Sequence, residues 1–249
     1  MAYDIHPRSF GEILDLGFRI VRDNIILLAG IAAVVFIPLA VLQIISSSAA
    51  SGLIGLLFLL IVAPVMQAAL TVAIANVYLG TPITIDEAYR SVKPILAPYL
   101  GTFLLIYLLI VLGFVCLIIP GFYFMIGWSL AAQVMIIERR FGMESMSRSR
   151  ALVRGAWWAT FGIALAASVI SEVPTLALTA LWSFIPFLGP LLTGATRSVS
   201  ATYLAAVMVI YYFDRRCRVE DFDLRLLAEQ IRSERQSGPL PSAGVSTVA

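Results

Sequence analysis

Two ionisable side chains, Glu172 and Arg197, stand inside long apolar stretches, where a charge is costly enough to need a partner or a functional reason. Counted at about 1.5 Å per helical residue, Glu172 lies about 22 Å from Trp157 and Arg197 about 24 Å from Phe213, so two antiparallel helices would bring them to similar depth. An intramembrane ion pair is one expectation. The other is that each snorkels separately to the headgroups. A second group is denser: Arg139, Arg140, Arg148, Arg150 and Arg154 fall within sixteen residues. Near an anionic surface each could contact a lipid headgroup for about 1 kcal/mol. Basic segments also simply fix topology, which is their commoner role. Glu138, beside Arg139 and Arg140, could bind the neighbouring helix or stay solvated.

Catalytic chemistry finds little here. The single histidine, His6, is in the N-terminal tail, so no paired-histidine acid/base site or His/Cys metal cluster can form. No Ser/His, paired-Asp or HExxH arrangement occurs in the apolar stretches. The expectation is a non-enzymatic protein with no cofactor and no metal. Nucleic acid is not implied, because the basic residues border apolar segments and no recognition fold accompanies them.

The elements that position these residues follow from composition. Of 249 residues, 60% are hydrophobic and 13% charged, too little polar surface to cover a water-soluble globule. An all-α, polytopic membrane helix bundle is expected, with six transmembrane helices at about 25–45, 53–79, 95–118, 122–137, 156–173 and 191–213, since about 20 residues cross a bilayer. The first span, 21 residues long, exceeds the roughly 7–15 of a signal-peptide core and is read as retained. A turn is expected at Ile119-Pro120-Gly121, and a break near Pro174, with residues 175–187 partly along the far interface. Interfacial amphipathic helices are expected at about 8–22, 84–93, 143–153 and 223–231. In the first, Phe10, Ile13, Leu14, Gly17, Phe18 and Val21 form one stripe opposite Arg8, Glu12, Asp15, Arg19 and Arg22, a pattern suited to the headgroup plane. The second begins with a capping box, Thr84 and Glu87; the third has a less regular stripe. Residues 1–235 make one membrane domain and 236–249 a disordered tail.

Sixteen of the seventeen Lys and Arg residues fall in the N-terminal segment, the 80–94 and 138–155 loops, or the C-terminal segment, with Arg197 the exception. Positively charged short loops stay in the cytoplasm, so both termini are expected there and the far-side turns are nearly bare of charge. Cys116 and Cys217 then lie on opposite sides, so no disulfide is expected. Three times a basic segment ends in Val and a base, Val21-Arg22, Val92-Lys93 and Val153-Arg154, and an apolar hairpin follows, which suggests a repeated unit.

Three stretches carry a resemblance: Ile119-Pro120-Gly121 through Trp128 to Glu138; Arg148-Ser149, Leu152, Gly155 and Trp158; and Tyr211-Tyr212-Phe213-Asp214 through Arg216 to Phe222-Asp223-Leu224. With FGEILDLGFRIVRDN near the start, the chain resembles the bacterial six-span proteins related to the membrane domain of glycerophosphoryl diester phosphodiesterase. In full-length phosphodiesterases of that name a separate soluble domain performs hydrolysis, and this chain departs from them by having none. The resemblance implies a six-span domain in a bacterial cytoplasmic (inner) membrane and no activity. The role expected is lipid interaction, or scaffolding for a membrane or cytoplasmic protein partner, with membrane lipids as the general partner. The alternative is a small-molecule or lipid transporter, for which Pro38, Pro64 and Pro174 would break helices around a site.

Overall fold

Apolar residues in runs of twenty or more can satisfy their backbone in a bilayer only as helices, and the computed structural model, which describes residues 8–45, 48–185 and 188–220, is helical throughout its regular elements. Five helical segments are long and apolar enough to cross a membrane: Ile25–Leu42, Gly52–Leu79, Ile85–Cys116, Ile118–Glu138 and Trp157–Trp182. The chain is a multi-span membrane protein. The expected helix at 223–231 and the tail at 236–249 lie outside the described residues.

In order the elements are α1 (Phe10–Asp23), α2 (Ile25–Ile45), α3 (Ser48–Leu57), a π-helical stretch (Phe58–Val62), α4 (Ala63–Leu79), α5 (Ile85–Val92), α6 (Leu96–Cys116), α7 (Ile118–Gly127), α8 (Ala131–Gln133) with a second π-helical stretch (Val134–Glu138), α9 (Met143–Val153), α10 (Trp157–Trp182) and α11 (Leu188–Glu220). The short helices α1, α5 and α9 each precede an apolar hairpin. At α5 the capping box forms as its spacing requires: the Glu87 amide donates to Thr84 Oγ1 at 3.3 Å and the Thr84 amide to Glu87 Oε2 at 2.8 Å.

The α6–α7 turn falls earlier than expected. Leu117, alone in extended conformation (φ −161°, ψ 141°), reverses the chain, and Pro120 sits in the first turn of α7. Proline fits there because the first helical N–H groups lack partners in any case. Pro174 likewise does not break α10, which continues to Trp182. Helix-internal proline is tolerated in membrane spans where nearby hydroxyls reinforce the turn, and Thr175 Oγ1 donates to the Ser171 carbonyl at 2.7 Å.

Helix α11 is the centre of the bundle. Every residue from Ala205 to Asp214 is buried, so this stretch is enclosed on all sides. It runs antiparallel to α10: Thr160 meets Tyr211, Glu172 meets Ser200 and Trp182 meets Thr196, one number rising as the other falls. Helix α2 also runs against it, with Thr202 Oγ1 donating to the Leu28 carbonyl at 3.3 Å. Because its neighbours shield them, α11 can carry the buried hydroxyls of Ser198, Ser200 and Thr202, while Arg197 on the same helix is exposed. That polar content keeps it outside the five apolar spans, although it occupies the position of the expected sixth.

Helix α1 packs on the bundle along one face. Of the expected stripe, Ile13, Gly17 and Val21 are buried together with Leu16 and Ile20, mainly against α11, while Phe10 and Phe18 face outward. Amphipathicity records that one face leaves water, and lipid and protein satisfy it alike. Outward-facing apolar side chains are instead concentrated on the spans, as at Ile37, Leu108, Val115, Leu165 and Val173, the surface a bilayer would cover.

Candidate functional site

The five loop arginines are sorted by the structure into different environments. The π-helical stretch ends at Glu138, and Arg139 takes a left-handed conformation (φ 57°) that turns the chain away. This leaves Glu138 pointing back into the protein, its side chain only 9% exposed. Helix α9 then returns alongside. Its irregular stripe has a cause: Ser145 and Ser149 take buried positions, and Ser149 Oγ donates to the Gly127 carbonyl at 2.9 Å. That docking brings Arg148 to Glu138.

Arg148 Nε lies 3.0 and 2.9 Å from the two Glu138 carboxylate oxygens, and its Nη2 pairs with Glu220 at the end of α11. Arg216 Nε donates to the other Glu220 oxygen at 3.2 Å, and the Tyr212 hydroxyl donates to Glu138 Oε1 at 2.8 Å. Arg140 approaches Glu138 Oε2 at 3.4 Å from a largely exposed position. The result is a clasp of alternating charge joining the 138–148 segment to the end of α11. Glu138 therefore binds the neighbouring helix rather than staying solvated.

A second clasp lies one turn away on α11. Asp214 accepts from the Arg8 amide at 2.7 Å and from Arg218 Nε at 2.9 Å, and Arg218 Nη2 returns to the Arg8 carbonyl at 2.6 Å. Arg215 Nε donates to the Leu152 carbonyl at 2.9 Å, closing the end of α9. The start of the described chain, the arginine-rich segment and α11 are thus tied at one end of the bundle. Burial alone would lower the Arg148 pKa, but the Glu138 and Glu220 carboxylates outweigh it and raise it, so the cation is secure.

Comparison with protein-family models, curated proteins and solved structures found no match.

Arg150 and Arg154 take no part in the clasps. Both are exposed, and among the described residues neither has an acidic partner within ion-pair distance. The Arg150 guanidinium lies 4.8 Å from the Trp128 ring centroid. Glu172 and Arg197 do not pair: Glu172 accepts from Ser200 Oγ at 3.2 Å, and both ionisable side chains belong to exposed residues. The expected depth is close, since Ser200 is one turn from Arg197, but the α10–α11 contact places a hydroxyl opposite the carboxylate. Asn76 serves its own helix end, with Nδ2 donating to the Val72 carbonyl at 2.8 Å and Oδ1 accepting from Thr81 Oγ1 at 2.7 Å.

The clasp carries an acid-sensitive term. Burial alone would raise the Glu220 pKa, but hydrogen bonds from Arg148 and Arg216 outweigh it and hold the carboxyl below its ordinary 4.5. A carboxyl depressed by folding stabilises the fold above its unfolded pKa, and that contribution is lost as pH falls through the folded value. Thermal stability in detergent is expected to decline as pH drops below 4.5. Glu220→Gln should lower it at neutral pH and flatten that acid decline; an unchanged acid profile would exclude Glu220 as its source.

Proposed function

We propose that this chain is a non-enzymatic integral protein of a bacterial cytoplasmic membrane, with six spans and both termini cytoplasmic, whose role is to engage lipid at its arginine-bearing face. The sixth span is α11, whose polar residues are tolerated inside a sheath of α1, α2, α4 and α10. The resemblance to membrane domains related to glycerophosphoryl diester phosphodiesterase is consistent with this arrangement and supplies no activity. The observation that carries the lipid reading is the division of labour among the arginines. Arg148, Arg216 and Arg218 hold the fold together, while Arg150 and Arg154 remain exposed on a rigid support. The same face would serve a membrane or cytoplasmic protein partner.

One native thiol, Cys116, tests the topology without mutagenesis. Cys116 is exposed beside the α6–α7 turn and Cys217 is buried at the arginine-bearing end. An impermeant maleimide applied to intact cells should modify Cys116 and leave Cys217 unreacted. Labelling of Cys116 only after the inner face is opened would reverse the orientation. Lipid engagement is tested by the phospholipid that stays with the protein through purification in mild detergent.

A second reading, transport of a small molecule or lipid, is favoured by a groove of about 540 Å³ between α1, α10 and α11, lined by Ser171, Pro174, Thr175, Ser200 and Tyr203 among apolar residues. Substrate-dependent flux in vesicles, abolished by Arg22→Ala in the groove lining, would support it over the lipid-binding role.

A further inference from the structure

We infer that the groove between α7, the end of α9 and the start of α10 holds the phosphate of an anionic phospholipid headgroup, gripped by Arg150 and Arg154. This rests on the lipid-engaging reading above and assigns it to one site. The groove encloses about 550 Å³, and its lining includes both arginines, Tyr123, Trp157 and Trp158 but no carboxylate. An excess of two positive charges in one concavity calls for an anion.

Local structure aims the donors. Arg150 and Arg154 are four residues apart, so they emerge on the same side at the end of α9. The Arg150 guanidinium lies over the Trp128 ring, 4.8 Å from its centroid, a contact that holds the cation in place without a carboxylate partner. Gly155, at φ 78°, turns the chain in a conformation that a side chain would strain, so α10 starts directly beside the arginines. The N-cap of α10 is Ala156, which offers no capping oxygen, and the first helical bond runs from the Thr160 amide to the Ala156 carbonyl. The amides of residues 157–159 thus precede any helical acceptor, adding positive potential to a site already defined by its side chains.

The lip of the groove argues for a lipid over a soluble anion. Trp158 is 76% and Tyr123 56% exposed, the residue types that sit at headgroup level. The apolar surface of α7 continues outward through Phe122 and Ile119, where acyl chains would lie.

The test uses the full chain in nanodiscs of phosphatidylglycerol or phosphatidylcholine, with lipid retention read by native mass spectrometry after transfer to mild detergent. Wild type should retain phosphatidylglycerol over phosphatidylcholine. The double variant R150Q/R154Q should lose roughly tenfold or more of that retention, at about 1 kcal/mol per arginine. R139Q/R140Q, which removes equal charge outside the groove, should retain it. Equal loss in both double variants would mean diffuse attraction and overturn the site, as would retention by R150Q/R154Q. Release of the lipid by inorganic phosphate, with phosphate itself protecting the fold, would reassign the site to a soluble anion. If loss of the Arg150 contact with Trp128 unfolds R150Q/R154Q, Arg154→Gln alone carries the test, with the same outcomes at a smaller effect. Wild type that retains no phospholipid would overturn the broader reading, whereas equal retention by wild type and variant overturns only this site.

Discussion

Arg148→Ala is expected to destabilise the protein by about 3–5 kcal/mol, the cost of leaving a buried charge without its partner. Glu138 is 9% exposed and receives both Arg148 hydrogen bonds. Without them it keeps the Tyr212 hydroxyl and a longer approach from Arg140. Arg148 is itself 16% exposed, so solvent relieves part of the cost and the lower end of the range is expected. Exposed Arg139 is the control: its truncation removes no ion pair among the described residues and should change stability by at most about 0.5 kcal/mol. Detergent-solubilised melting curves separate the two. If Arg148→Ala and Arg139→Ala melt together, the clasp does not hold this end of the bundle.

The contrast between these arginines divides what residue type and spacing dictate from what only tertiary packing decides. The spans were legible in the sequence because length and apolarity are summed properties, and five segments are long and apolar enough to cross a membrane. The position of the arginines was legible too. Their individual roles were not, since Arg148 and Arg150 are two residues apart and differ only in what the neighbouring chain presents. One meets a carboxylate from a π-helical stretch; the other meets an indole. The register that decides this is set by Arg139 in a left-handed conformation and by Ser149 reaching Gly127, neither of which periodicity records.

Glu172 and Arg197, for which pairing and separate snorkelling stood as alternatives, show what counting along a helix leaves open. Depth along a helix could be counted, but rotation about the helix axis could not. The residue that meets Glu172 is Ser200, one turn from Arg197. Helix α11 shows a third case: its hydroxyls and charge lower its hydropathy, yet it carries the enclosed stretch from Ala205 to Asp214, because a central element faces protein.

Replacing Gly17 decides whether α1 belongs to the bundle or to the bilayer surface. A β-carbon there would lie 2.7 Å from Val207 Cγ2 and 3.5 Å from the Val207 amide. Real contacts of that kind are not made, so one side must move. Val207 is fully buried, its χ1 is restricted by β-branching within a helix, and its neighbours from Ala205 to Asp214 are enclosed as well. Overpacking of this sort costs about 1–3 kcal/mol, occasionally more, against roughly 1 kcal/mol that alanine regains in helix propensity. Gly17→Ala should therefore be mildly destabilising, and Gly17→Leu should displace α1 from α11 and lower the melting temperature strongly. Gly11, on the same helix, has nothing within 4 Å of its would-be β-carbon, so Gly11→Ala should gain the propensity without the clash. A helix resting in headgroups would reverse the sign at position 17, because a leucine there widens the apolar stripe and strengthens insertion. Stabilisation by Gly17→Leu would thus return α1 to the membrane surface and remove the α1–α11 contact from the core.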